Sequence, residues 1–298
     1  MRRPLWLRAT PRQVDQVRTL GVARLNTLNY ADWLIACYGK TFAQTFPMNY
    51  GLKFHTTTAD NMSTEWVGPR LFRPDLKEVL NGALSPDTPD VHYVNHFRYP
   101  SRGGFVSYLN LFLNQTDVRL RHKLVALDPK NRTLQFANGT VVPYDYLISS
   151  LPLPELTPMI SGVPNDVLQA SHRLACTTCV IVNIGIDRED ISNAHWVYFY
   201  DHEFCFTRFS FPHMQSPHNV PPGTGSIQAE IYHSKKYRPL DRSPKEYIQP
   251  VISELQRWGL LREDDEILFA DAKMIPYANV IFDLDRASAL STVIGYLE

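Results

Sequence analysis

Four groups of residues in this chain have types and spacings that could do chemistry. Cys176-Thr-Thr-Cys179 is a C-x-x-C pair, but a structural zinc site needs four ligands. The pair also opens a strand-like run, where positions i and i+3 point to opposite faces, so two reduced, metal-free thiols are expected. Ten histidines are scattered without H-E-x-x-H or a comparable spacing, and no metal site is expected from them. Arg70 closes Ser63-Thr-Glu-Trp-Val-Gly-Pro-Arg70, and Arg208 sits in Phe204-Cys-Phe-Thr-Arg-Phe-Ser210. A guanidinium among aromatic rings meets an anionic ligand, a ring face or an internal carboxylate. Gly103-Gly104 ahead of an apolar run would let backbone approach a ligand and offer helix-start N–H groups to an anion, although tight turns use such pairs as often.

Elements must position these groups. Asn29 can cap a helix with Asp32 at its third position, placing Trp33, Leu34, Cys37, Tyr38 and Phe42 on one face and Lys40 near the end. A second helix is expected over 74–80, with Gly82 beyond it. Short strands are expected at 91–94, along the alternating run 118–127, at 133–136 and at 141–142, with Asn138-Gly139 as a type I′ turn. Residues 105–113 read as a short helix, and Tyr146-Leu-Ile148 as a strand buried on both faces. An antiparallel block follows at 179–186, 195–201, 204–210 and 226–233, with a Pro/His/Gly-rich loop over 211–225. Ser243-Pro-Lys-Glu246 is a capping box for a helix stopping at Gly259, with Pro250 expected to kink it. A strand at 266–270, Tyr277 and a closing helix complete an interleaved α+β order.

The bulk numbers narrow the function. Thirty basic residues balance thirty acidic ones over 298 residues, which argues against a general nucleic-acid binder or a surface held to anionic lipid. No run approaches the roughly 18 apolar residues of a membrane span. The N-terminus lacks the apolar stretch of a secretory signal, and four cysteines make no disulfide scaffold. A cytoplasmic location is expected.

Several segments together resemble one family. Phe97-Arg-Tyr-Pro-Ser-Arg-Gly-Gly-Phe105, Leu124-Val-Ala-Leu-Asp128 and Tyr144-Asp-Tyr-Leu-Ile-Ser-Ser-Leu-Pro-Leu153 are similar to the flavin amine-oxidase superfamily. Its protoporphyrinogen-oxidase-like and UDP-galactopyranose-mutase-like branches are nearest. Asn49-Tyr-Gly-Leu-Lys-Phe-His55, the Ser63–Arg70 segment and Trp196-Val-Tyr198 with Arg208 fit the mutase-like branch. The resemblance implies a Rossmann-like FAD domain interleaved with a substrate domain of helices and antiparallel sheet. Residues 1–90 would be the helical part of the substrate domain, 91–155 the central FAD domain, 156–275 the substrate sheet and 276–298 the start of the return to the FAD domain. FAD would lie by Gly103, Gly104, Leu124, Ser149, Ser150, Leu151, Pro152 and Tyr277. Arg70, Tyr198 and Arg208 would hold the diphosphate of a sugar nucleotide, and His55 stands where these mutases carry Trp.

The implied function is an FAD-dependent oxidoreductase acting on a small anionic substrate. One alternative is a mutase-like isomerase that uses reduced flavin without net oxidation. Another is a non-catalytic remnant or partner-binding piece of the fold. Neither the strand–G-x-G-x-x-G–helix that opens the family nor its closing Gly-Arg-aromatic-Gly segment occurs here. The sequence therefore reads as the middle of a longer or split flavoprotein, whose partners would be the missing FAD-domain segments or a second copy.

A shared anion site imposes a parity rule. A two-residue turn at His202-Glu203 would pair Tyr198 with Thr207 and send Arg208 to the opposite face. An odd-length loop would put Tyr198 and Arg208 together, with Phe206 on the face of Arg208. The odd loop is expected. Without a phosphate-binding glycine turn, residues 1–298 alone should bind FAD weakly or not at all. Gel filtration with excess FAD should return colourless protein by its absorption spectrum.

Overall fold

The computed structural model describes residues 29–68, 71, 73, 75–85 and 96–298. Arg70 and the strand expected at 91–94 lie outside these. The chain divides into two compact units, each drawn from two segments: the chain up to Gly104 with Thr177–Phe282, and Phe105–Cys176 with Asp283–Glu298.

The first unit opens with three helices, α1 (Tyr30–Tyr38), α2 (Lys40–Thr45) and α3 (Pro47–His55). Asn29 caps α1 by accepting the Asp32 N–H at 2.9 Å. Gly39, at φ 77°, breaks the expected single helix, so Lys40 begins α2 instead of closing α1. Tyr30, Trp33, Leu34 and Cys37 bury against Met62 and Val67. A fourth helix, α4 (Leu76–Leu84), is held by a capping box between Asp75 and Glu78, and Gly82 lies inside it.

A six-stranded sheet forms the body of this unit. Its strands are β1 (Ala175–Ile186), β2 (Trp196–Tyr198), β3 (Arg208–Ser210), β4 (Gly225–Ser234), β5 (Ile267–Ile275) and β6 (Val280–Ile281). The order is β2-β3-β4-β1-β5, with β6 paired to β1. The register from β2 through β5 is antiparallel throughout. One face is apolar, with Val180, Val182, Ile184, Phe209, Ile227, Ala229 and Ile231 buried against α5 (Ile248–Trp258) through Val251, Ile252 and Leu255.

Three expectations change here. Pro250 does not kink α5, because Pro244–Tyr247 forms a separate 3₁₀ turn and the α-helix restarts at Ile248. Pro250 therefore falls in the first turn, where no N–H is needed. Residues 204–207 are bends and irregular backbone, with the strand beginning only at Arg208. Phe206 therefore packs on Phe199, Phe204 and Phe209 in the core, away from the Arg208 side.

The second unit contains an antiparallel three-stranded sheet, Leu124–Asp128, Thr133–Phe136 and Val141–Pro143. The run expected from 118 becomes strand only at Leu124, and Arg121 takes φ 60° just before it. The Asn138-Gly139 hairpin has positive φ only at Gly139, which fits a type I turn with a glycine bulge and not type I′. Tyr146 and Ile148 are 95% and 98% exposed and lie in no strand, so the doubly buried strand expected there is absent. Alongside them Phe105, Leu111, Phe112 and Leu120 are also exposed. Helices Asn165–Arg173 and Arg286–Leu297 pack through Val167, Ala170 and Val293.

Gly225, the first residue of β4, has no room for a side chain: an added Cβ would lie 2.5 Å from the Arg188 carbonyl and closer still to the Ile191 side chain. Gly225→Ala should cost about 1–3 kcal/mol through overpacking. Gly82→Ala, in open space within α4, should gain about 0.5–1 kcal/mol. Urea unfolding of both variants checks the contrast.

Candidate functional site

The sheet face opposite α5 carries the polar side chains, because alternation along β4 sends Gln228, Glu230 and Tyr232 there while Ile227, Ala229 and Ile231 enter the core. Register then lays out two cross-strand rows. One is Tyr198, Arg208, Glu230, Ile181 and Lys273; the next is Trp196, Ser210, Gln228, Asn183 and Asp271. Tyr198 stands directly opposite Arg208, so the loop joining β2 to β3 is odd in length, as expected.

Arg208 is also bound to a carboxylate. Its Nε and Nη2 donate to Glu230 Oε2 and Oε1 at 3.1 and 2.6 Å, a forked, charge-assisted pair. The Tyr232 hydroxyl donates to Glu230 Oε2 at 2.7 Å. Burial disfavours the Arg208 charge, but the Glu230 hydrogen bonds and charge more than offset it and hold the guanidinium protonated. Burial and the Glu230 charge push the Tyr232 phenol up. Arg208 Cζ lies 5.9 Å from the Tyr198 ring centroid, and a lesser side-chain hydrogen-bond interaction with Tyr198 also favours its charge.

Helix α3 lays rings over this face. Tyr50 meets Tyr198 at 5.5 Å between centroids and Tyr200 at 5.7 Å, Phe46 meets Tyr200 at 5.5 Å, and Phe54 meets Tyr232 at 4.7 Å. The result is an aromatic wall around one guanidinium, suited to orienting a planar group joined to an anion. Cys179 points to the same face, but burial and the Glu230 charge push its thiol up to about 12, so it is no nucleophile at neutral pH. No disulfide joins the described cysteines, and no cluster of three or more metal-ligating side chains occurs among the described residues.

His55 ends α3, 7% exposed, with its ring between Phe54 and Trp66 at 4.9 and 5.1 Å. The following Thr56 adopts φ 64°, unusual for a β-branched residue. Its hydroxyl lies 2.6 Å from both His55 O and Ser234 Oγ, which fastens the helix end to β4.

The residues tied to a flavin by resemblance fall in both units. Gly103 and Gly104 take φ 83° and 67° and lead into a 3₁₀ turn, Phe105–Leu109, of largely exposed residues. Leu124 is half-buried at a strand start beside a bulge. Ser149, Ser150 and Leu151 are exposed, Pro152 precedes helix Leu153–Leu156, and Tyr277 is part-exposed.

The sequence profile of the flavin containing amine oxidoreductases matches residues 30–270. The chain belongs to that family. Among solved structures, reduced UDP-galactopyranose mutase matches with TM-score 0.83 at 22% identity, over 96% of this chain and 63% of that one. A protein assigned as a protoporphyrinogen oxidase from Exiguobacterium sp. 255-15 matches with TM-score 0.64 at 15% identity, over 95% of this chain and 62% of that one. A fatty acid isomerase from P. acnes that produces CLA matches with TM-score 0.55 at 12% identity, over 91% and 59%. At these identities the likeness is one of fold, and this flavoprotein-family chain spans less than two thirds of each neighbour's length.

A flavin dinucleotide needs a glycine turn opening onto a helix start for its pyrophosphate. Here the glycine pair opens onto a 3₁₀ turn followed by a four-residue helix, Asn110–Leu113, and the sequence has no G-x-G-x-x-G. The residues present do not fit that part of the group.

Glu230, Tyr232 and Tyr50 complete the aromatic face and were not foreseen. The alternation Ile227-Gln-Ala-Glu-Ile231 was the available signal. For His55, burial lowers the pKa to about 4 from an ordinary 6.5. The unfolded chain therefore binds the extra proton first, and stability should fall as pH drops from 6.5 to 4, by up to about 3 kcal/mol. His213 and His233, lowered by burial in the same direction, add to the slope. His55→Phe should remove the larger part of it in urea midpoints measured from pH 7 to 4.

Proposed function

We propose that this chain carries the substrate-binding sheet, with part of the cofactor domain, of an FAD-dependent enzyme acting on a small anionic substrate of the nucleotide-diphosphate-sugar kind. The observation supporting this most strongly is the register that sets Tyr198 opposite Arg208 beneath the rings of α3. A flavin, when bound, supplies the redox or covalent chemistry. The protein's own residues do the holding. Arg208, kept charged and aimed by Glu230, presents Nη1 to a phosphate oxygen, Tyr198 offers a hydroxyl beside it, and the rings of Tyr50 and Phe54 exclude water from that face. Arg70 joins them on the strength of resemblance alone, as does the Rossmann-like character of the second unit.

Both an oxidoreductase and a mutase-like isomerase are compatible with this face. The first needs an electron acceptor and the second does not. A non-catalytic, partner-binding piece of the fold is the reading from another class. A flavin band in the absorption spectrum of the complete protein separates that reading from either enzyme.

Calorimetric titration of the chain with UDP tests the anion face. Arg208→Gln should weaken binding by about 2–3 kcal/mol, the scale of a lost charge-assisted hydrogen bond. Glu230→Gln, which removes a competing negative charge, should not weaken it to that degree. Unchanged UDP affinity in Arg208→Gln would remove the diphosphate reading and leave the family membership standing.

A further inference from the structure

The first unit has a second concavity around the end of β4, which shares Tyr232 with the aromatic face. Ile231 and His233 of β4, with Lys53 and Tyr247, form the buried floor of a cavity of about 300 Å³, and exposed His202, Asp241 and Arg242 stand at its rim. That volume is about ten waters' worth, more than inorganic phosphate alone would fill.

The charges in this groove do not balance. Lys53, Arg238 and Arg242 line it with a single carboxylate, Asp241. Asp241 is already engaged: it pairs with Arg242 at 3.0 Å and accepts the Tyr247 hydroxyl at 2.9 Å. Lys53 is 4% exposed, yet its Nζ donates only to the Asp201 carbonyl, at 2.8 Å. Arg238 donates from Nη2 to the carbonyls of Lys53 and Tyr232, at 2.7 and 2.5 Å, and its Nε is buried without a partner. Neither cation is ion-paired among the described residues. Glu254, the next carboxylate, accepts the Cys205 N–H at 2.7 Å.

Capping the last turn of α3 accounts for Arg238 Nη2 but not for an ammonium buried beside it. Buried cations are ordinarily paired or neutralised. Burial first, then the neighbouring Arg238 charge, lower the Lys53 pKa, while Cys205, Glu254 and Asp201 raise it; the outcome is about 8, still protonated at neutral pH. Two neighbouring cations that pair with no carboxylate among the described residues, in a groove with an exposed rim, match a phosphate: the undonated guanidinium N–H groups of Arg238 beside a point charge.

We propose that this groove binds a phosphate-bearing small molecule, its phosphate seated among Lys53 Nζ, Arg238 and Arg242 and its organic part in the remaining volume. Neither Tyr198 nor Arg208 lines the site. An occupant would touch the β2–β3 loop, because Asp201 of that loop sits on Lys53 Nζ.

Calorimetric titration of the 298-residue chain with inorganic phosphate, against chloride at matched ionic strength, tests this. Phosphate should bind in preference to chloride, Lys53→Met should weaken it by about ten-fold or more, and Arg242→Ala by about three-fold. The same titrations are repeated in the Arg208→Gln background, where the phosphate binding that remains should still be lost with Lys53→Met, so a failure of the UDP reading is seen independently. Equal heats for phosphate and chloride would overturn the proposal. So would undiminished phosphate affinity in both groove variants, or a loss confined to Arg208→Gln. If Lys53→Met does not fold, Arg242→Ala decides: unchanged affinity there overturns the assignment, and a three-fold loss supports it.

Discussion

Strand β4 must send successive side chains to opposite faces, and both halves of the first unit's chemistry follow from that constraint. Ile227, Ala229 and Ile231 are committed to a dry core with α5, so Gln228, Glu230 and Tyr232 are committed to the other side. Antiparallel pairing with β3 then leaves Arg208 opposite Glu230, and pairing of β3 with β2 leaves Tyr198 opposite Arg208. The aromatic face is thus a by-product of where the core lies. A shift of one residue in any of these pairings would bury a charge among phenylalanines, so the hydrophobic term enforces the geometry of the polar one.

The Arg208–Glu230 pair decides what that face can hold. A lone guanidinium on a half-dry surface would attract any anion, whereas one already held by a carboxylate offers only its remaining N–H groups and a charge largely compensated nearby. Such a site selects by geometry and ring contact more than by net charge. The groove around Lys53 is its electrostatic opposite, with positive charge in excess. Helix α3 connects the two, presenting Tyr50 and Phe54 on one side and Lys53 on another.

Much of this was legible in the sequence where local physics is strong. Asn29, Ser243 and Gly259 mark helix ends because capping and positive φ are properties of a few adjacent residues. The parity of the β2–β3 loop followed from the requirement that Tyr198 and Arg208 share a face, and the register agrees. The misses came from interactions between residues distant along the chain. Arg208 and Glu230 are 22 residues apart and Lys53 and Arg238 are 185 apart, separations that carry no local pattern. Tyr146-Leu-Ile148 failed for another reason: a short apolar run records hydrophobicity without recording whether anything covers it.

The exposed rings and aliphatic chains of the second unit have a practical side. Phe105, Leu111, Phe112, Leu120, Tyr146 and Ile148 together present water with the kind of surface that most monomeric proteins keep small. In a concentrated sample such a surface sets colloidal behaviour: attraction between copies rises with protein concentration and with added sulfate, and weakens on cooling. The chain should therefore be handled dilute, cold and in low-salt chloride buffer, since self-association would otherwise be mistaken for binding.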